Sequence, residues 1–284
     1  MAQRWKHKPP NSNWGEFGPD DRRGRMNWVT REKVLQGVAE VKEGRTFCLS
    51  LPLDYPGGNV LNPRRNPPRL APTVRAGKAN FCFAFADENP LLTDVVCDDQ
   101  VLLTLQYSTQ WDSLAHVGGK FDADGDGKPE IVFYNGFRAG EDVKTAPEKK
   151  DAEPWARFEG SRAEALGIQN LAEHGAQGRG VMVDLHAHFG RERKAIGYDA
   201  LMRVLEKDRV AVEKGDFVCF YTGFVDVILE LKKNPDPKLV HNTCTGLDGR
   251  DDKLLKWVSD CGCAALIADN YAVEIIPSSP FKHE

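Results

Sequence analysis

Apolar positions Val34, Leu35, Val38 and Val41 recur at helical spacing behind Thr30, a good N-cap, and ahead of Gly44. This predicts a helix over residues 30–42 with one buried stripe. Ser161 and Glu164 read as a capping box opening a second helix through Leu171. Residues 198–214 and 251–261 carry the same helical spacing. Residues 46–53 and 180–189 alternate as strands do, and 81–85 and 101–107 read as strands. The unbroken apolar runs 217–221 and 264–268 predict strands buried on both faces. Between them lie a loop over 54–77, punctuated by Pro56, Pro63, Pro67, Pro68 and Pro72, and a Gly- and Asp-rich irregular stretch over 118–160. Strands and helices alternate in the second half and not in the first. The expectation is an α/β class: a single mixed-sheet domain over residues 29–284, preceded by an N-terminal arm over 1–28 packed by its own aromatics.

Composition narrows the function classes. The 284 residues carry a formal net charge of −4, and Arg and Lys are scattered apart from short pairs such as Arg64-Arg65. This excludes a basic nucleic-acid footprint. No apolar run approaches the roughly 18 residues of a membrane span. Met-Ala-Gln-Arg-Trp-Lys-His-Lys opens the chain without an apolar signal region, so a cytoplasmic protein acting on a small molecule is expected. Seven cysteines, several in settings such as Phe81-Cys82-Phe83 and Val218-Cys219-Phe220, are expected to be buried reduced thiols. Cys261-Gly-Cys263 with Cys244 lacks the wider spacing of zinc knuckles.

The densest chemistry lies in residues 106–116. Gln106, Gln110, Asp112 and His116 all bind metals or move protons, and Gln106, Ser108, Gln110 and Asp112 share one strand parity opposite Tyr107 and Trp111. That pattern suits the floor of a site, and equally a half-solvated strand end. In a straight strand the alpha carbons of Gln106 and Gln110 stand roughly 13 Å apart. Shared coordination therefore needs a bend, which Ser108 and Thr109 tolerate.

These residues resemble the motif of the cyclase family of metal-dependent hydrolases, which includes kynurenine formamidase and isatin hydrolase. The usual His-x-Gly-Thr-His-x-Asp-x-Pro-x-His reads here Gln106-x-Ser108-Thr109-Gln110-x-Asp112-x-Leu114-x-His116. Thr109, Asp112 and His116 match; both histidine ligands are glutamine. The double-glutamine form is similar to the branch that includes trans-dienelactone hydrolase. Trp14-Gly15, Met26 to Thr30, Thr222-Gly223 and Ala268-Asp269-Asn270 also fall in family order. The resemblance implies a swivelling β/β/α fold, a homodimer, and a divalent metal, zinc before manganese. It implies Gln106, Gln110 and Asp112 as metal ligands and His116 as proton carrier, with Thr109 and Ser113 orienting them. Trp14, Arg64 and Arg65 are expected to close the pocket on the substrate. His283 matches a further family histidine, whose partner Glu has no counterpart before residue 284. The expected activity is opening of a small cyclic ester by metal-activated water. A cyclic amide or formamide hydrolase, and a non-catalytic binder with a decayed metal site, are the alternatives.

Two other patterns carry ligand-type residues. Asp122-x-Asp124-x-Asp126-Gly127 copies the start of an EF-hand loop, but Phe133 stands at the twelfth position, where a Glu is needed. Asp184-x-His186-x-His188 is expected on one face of a strand, with a hydrated polar face the favoured reading.

Overall fold

The structure is a computed structural model that describes residues 3–276. It is mixed α/β, as the sequence pattern predicts. The chain divides into two compact units: Met1–Phe47, Trp111–Val225 and Thr243–Glu284 form the first; Cys48–Gln110 and Asp226–Asn242 form the second.

The first unit is organised on a parallel three-stranded sheet, in the order Gly180–Asp184, Phe217–Tyr221, Ala265–Ala268. Val181 pairs with Val218, and Val218 with Leu266. The unbroken apolar runs are explained by burial on both sheet faces. Val218, Phe220, Leu266 and Ala268 pack into the main core with Leu201 and Val204 of the helix Tyr198–Asp208 and Leu254 of the helix Asp252–Asp260. The alternate residues Phe217, Cys219, Ala265 and Ile267 meet Met26 and Val29 on the other side. Asp251 caps its helix through Lys253 and Leu254, and the left-handed Arg209 stops the other.

Thr30 caps the helix Arg31–Ala39 by accepting from the Lys33 amide. The stripe predicted to be buried is not: Leu35 and Val38 of the helix, and Val41 just after it, are exposed. The helix instead buries Lys33, whose ammonium lies 3.0 Å from Asp216, a fully buried carboxylate that Arg179 also meets at 2.7 Å. Gly37 permits this seating, because a Cβ there would come within 2.5 Å of the Gly178 carbonyl oxygen.

Other expectations fail for local reasons. The capping box at Ser161 opens no helix; Arg162–Ala163 is a strand, and Glu164 pairs with Lys144 and Arg162. Residues 46–53 form no strand. The strand predicted over 180–189 ends at Asp184, which caps the short helix Leu185–Phe189 through the Ala187 amide. His186 and His188 are therefore helical: His188 pairs with Asp208 at 2.8 Å, and the His186 ring lies 5.5 Å from Tyr221. The Asp184, His186, His188 strand face does not exist.

The second unit is built from short antiparallel pairs. Arg69–Pro72 pairs with Asp99–Leu102, Val74–Arg75 with Lys78–Ala79, and Phe83–Ala84 with Val95–Val96. The strand expected over 101–107 stops at Leu102, and residues 105–109 turn and bend. The predicted parity therefore does not apply: Tyr107 is buried with its hydroxyl donating to the Gly58 carbonyl, and Trp111 is exposed. Cys48, Cys82 and Cys97 are exposed rather than buried. Among the described residues, no helix is long and apolar enough to cross a membrane.

Candidate functional site

Residues 112–116 leave extended chain and enter a turn. The His116 amide donates to the Ser113 carbonyl at 3.0 Å, and the Ala115 amide to the Ser113 hydroxyl at 3.3 Å. Serine suits this position because its hydroxyl replaces a backbone acceptor. Leu114 anchors the turn by packing against Phe137, Ala165 and Leu166. Asp112 and His116, with Leu114 between them, line an open cleft of about 480 Å³.

Asp112 Oδ1 lies 3.9 Å from His116 Nε2. This exceeds a hydrogen bond, yet one small species can touch both groups. A water hydrogen-bonded to one of the two groups is therefore within reach of the other. The Asp112 side chain is 48% exposed. Among the described residues, no Lys or Arg forms a salt bridge with Asp112. Its carboxylate is a donor that suits a divalent cation.

Trp14 and Tyr134 also line the cleft. Trp14 is held edge-on to Trp5 at 5.6 Å and tilted against Phe121 at 6.0 Å. Tyr134 donates to Asp21 Oδ2 at 2.9 Å; burial first, and the Asp21 carboxylate second, push its phenol well above the ordinary range, so it stays protonated. Asp21 further accepts from the Gly24 amide and the Asn27 side chain. Asn135, fully buried, accepts from the Gly15 amide and donates to the Gly18 and Asp21 carbonyls. These bonds fasten residues 15–27 beside Tyr134. Sequence reading passed over Tyr134 and Asn135, although Asn135-Gly136 is a turn signal. Both residues have positive φ, at 54° and 70°.

Of the expected site residues, Trp14, Asp112, Ser113 and His116 share this cleft. Gln106, Thr109, Gln110, Arg64 and Arg65 belong to the second unit. There Arg65 Nη1 donates to the Gln106 carbonyl at 2.9 Å, which occupies the backbone of Gln106 and leaves its side-chain amide out of that bond. Thr109 Oγ1 accepts from the Leu51 amide at 3.0 Å, and the neighbouring Ser108 hydroxyl donates to the Pro52 carbonyl at 3.1 Å. Both hydroxyls thus pin the bend between the two glutamines. Arg64 is exposed. His283 lies outside the described residues.

A second group of acidic oxygens stands on the hairpin Gly119–Phe121 to Glu130–Val132. Asp122, Asp124, Asp126 and Glu130 bring ligand atoms within 4.8 Å of one another. Glu130, and not the twelfth residue, completes this group, since the flanks are strands rather than helices. Asp122 accepts from the amides of Gly125, Asp126 and Gly127, and Arg138 pairs with Asp124 at 2.9 Å and Glu130 at 3.4 Å. Among the described residues, Cys244, Cys261 and Cys263 do not form a metal-binding group.

Comparison with known proteins gives a consistent picture. Residues 49–275 match the model of a family described as putative cyclase. A crystal structure of a novel cyclase is similar to this chain, with 27% identity over 96% of this chain and 80% of its own, at a TM-score of 0.65. No curated protein sequence matches significantly.

Proposed function

The chain belongs to the putative cyclase family, and from that premise we propose that it is a metal-dependent hydrolase that opens a small cyclic ester. The observation that carries the reading is the meeting of Asp112 and His116, at 3.9 Å, on the wall of a cleft sized for a small ligand. Asp112 supplies the anionic ligand. Gln106 and Gln110, which the resemblance implies as neutral oxygen ligands, belong to the second unit. A divalent ion supplies Lewis acidity and a water acidic enough to react near neutral pH. His116 accepts the proton of the attacking water through Nε2 and returns it to the oxygen that leaves the ring. Ser113 and Leu114 hold the turn that presents both groups. Trp14 and Tyr134 offer the ring an apolar wall. An ester is favoured over an amide by the family resemblance alone; its leaving oxygen also needs less protonation than nitrogen. Zinc is the first choice of metal by the family resemblance, and manganese the second, because amide oxygens are harder and weaker donors than imidazole and shift preference toward it.

The test is a screen of small lactones, cyclic amides and formamides against protein loaded with zinc or manganese. The proposal expects lactone opening that is lost on chelation and in Asp112→Ala. Preferential turnover of a cyclic amide or formamide would move the substrate class. Metal-independent turnover, or turnover undiminished in Asp112→Ala, would overturn the reading.

A further inference from the structure

Cys82 and Cys97 lie 15 residues apart in sequence and face each other across the second unit, with sulfurs 3.8 Å apart. They lie just outside the short ladder of Phe83–Ala84 with Val95–Val96. On the far side of the pair, the Asp98 amide donates to the Asn80 carbonyl at 2.8 Å, and the Asn80 side chain to Asp98 Oδ2 at 2.8 Å. The chain is thus held on both sides of the two thiols. Cys82 adopts φ of 52°, which turns its amide onto the Cys97 sulfur at 3.0 Å. Both side chains are exposed.

We infer that Cys82 and Cys97 form a disulfide-exchange site, oxidised by a small disulfide such as glutathione disulfide to a bond that closes the hairpin of residues 83–96. The Cys97 thiolate attacks one sulfur of glutathione disulfide, forming a mixed disulfide and expelling one glutathione thiolate. The Cys82 thiol then loses its proton to water and attacks the Cys97 sulfur, expelling the second glutathione. Two protein thiols are oxidised and one disulfide is reduced to two thiols. The order follows from the hydrogen bonds. Cys97 already accepts the Cys82 amide hydrogen bond, and the Cys82 thiol is raised, first by its hydrogen bond with Cys97. The site is independent of the proposed hydrolysis. Its hairpin returns, through Arg69–Pro72 and Asp99–Leu102, to the chain carrying Arg65 and Gln106.

Reduced full-length protein equilibrated in glutathione buffers, quenched by alkylation and mapped without reduction, tests this. The expected product is an intramolecular Cys82–Cys97 link lacking two hydrogens, with slower amide exchange over residues 83–96. Cys82→Ser should halt at a glutathione adduct on Cys97 that persists at least ~10²-fold longer than in the parent, because the neighbouring nucleophile is gone. Cys48, also exposed, serves as the internal control. The inference fails if Cys82 and Cys97 both stay alkylatable in buffers that modify Cys48. It also fails if they link only to other molecules, or if the Cys97 adduct in Cys82→Ser is as short-lived as in the parent.

Discussion

His116 separates two functions that a metal ligand would combine. It stands 3.9 Å from Asp112 with 31% of its side chain exposed, near enough to take a proton from a water beside the carboxylate. His116→Ala should lower lactone turnover by about 10²–10⁴-fold, the range for a lost general base, while metal content by mass spectrometry stays near that of the parent. Equal loss of metal and turnover would make it a ligand. A different single residue reports on electrostatics. The Cys261 thiol is pulled down to about 6, first by its hydrogen bond with Cys263 and further by Arg25, while Cys263, which shares the proton, is raised. Alkylation of Cys261 by iodoacetamide should therefore climb through pH about 6 and level off above neutrality. That of Cys219, which burial raises, should still be climbing there. In stability terms, a depressed thiol helps the fold above the ordinary thiol range, and that help fades as pH falls toward about 6. A Cys261 profile parallel to that of Cys219 would refute the assignment. Residue chemistry of this kind was only partly legible in sequence. Thr30 as a cap depends on its immediate neighbours and was readable. The exposure of Cys82 was not, because flanking phenylalanines report composition and not which way the chain turns.

Elements were legible where tertiary packing agreed with the local pattern. Phe217–Tyr221 and Ala265–Ala268 are apolar on both faces because the sheet is covered on both sides, so the runs identified themselves. Arg31–Ala39 was readable as a helix from its cap and spacing, yet it packs by Lys33 and Gly37 rather than by Leu35 and Val38. A charge pair formed across 183 residues of chain leaves no periodic trace. That pairing carries a prediction of its own. Asp216 is fully buried and accepts from Lys33 at 3.0 Å, Arg179 at 2.7 Å and the Glu213 amide at 2.7 Å. Asp216→Asn keeps the shape but leaves two cations without their shared anion. Removing one partner of a buried ion pair costs about 3–5 kcal/mol, and urea unfolding should register a loss of that size with the slope unchanged. A loss below about 1 kcal/mol, the scale of exposed pairs, would show that water reaches the cluster. Glu164 marks the opposite failure: its spacing from Ser161 imitates a capping box, but Lys144 and Arg162 claim its carboxylate.

At the scale of the whole molecule, the motif of residues 106–116 did most to identify the family, and it also runs through the point where the chain divides, between Gln110 and Trp111. Sequence adjacency made Gln106, Gln110, Asp112 and His116 conspicuous together, and the resemblance assigned their roles. The arm residue Asp21 meets Tyr134 and Asn135 across more than a hundred positions, so no spacing rule could join them. If the motif binds one divalent ion in the folded chain, that binding is also folding energy. Metal at about a hundredfold excess over its dissociation constant should add about 2.7 kcal/mol, which for a chain of this size is a rise of several degrees in melting temperature. Zinc should act at lower concentration than manganese, and a chelator should reverse both shifts. Asp112→Ala should remove the shift altogether, whereas substitution of Asp124 and Asp126 on the acidic hairpin should leave the zinc response intact. A zinc shift that survives Asp112→Ala but vanishes with the hairpin carboxylates would relocate the metal to Asp122, Asp124, Asp126 and Glu130. The cleft at His116 would then need a different chemistry.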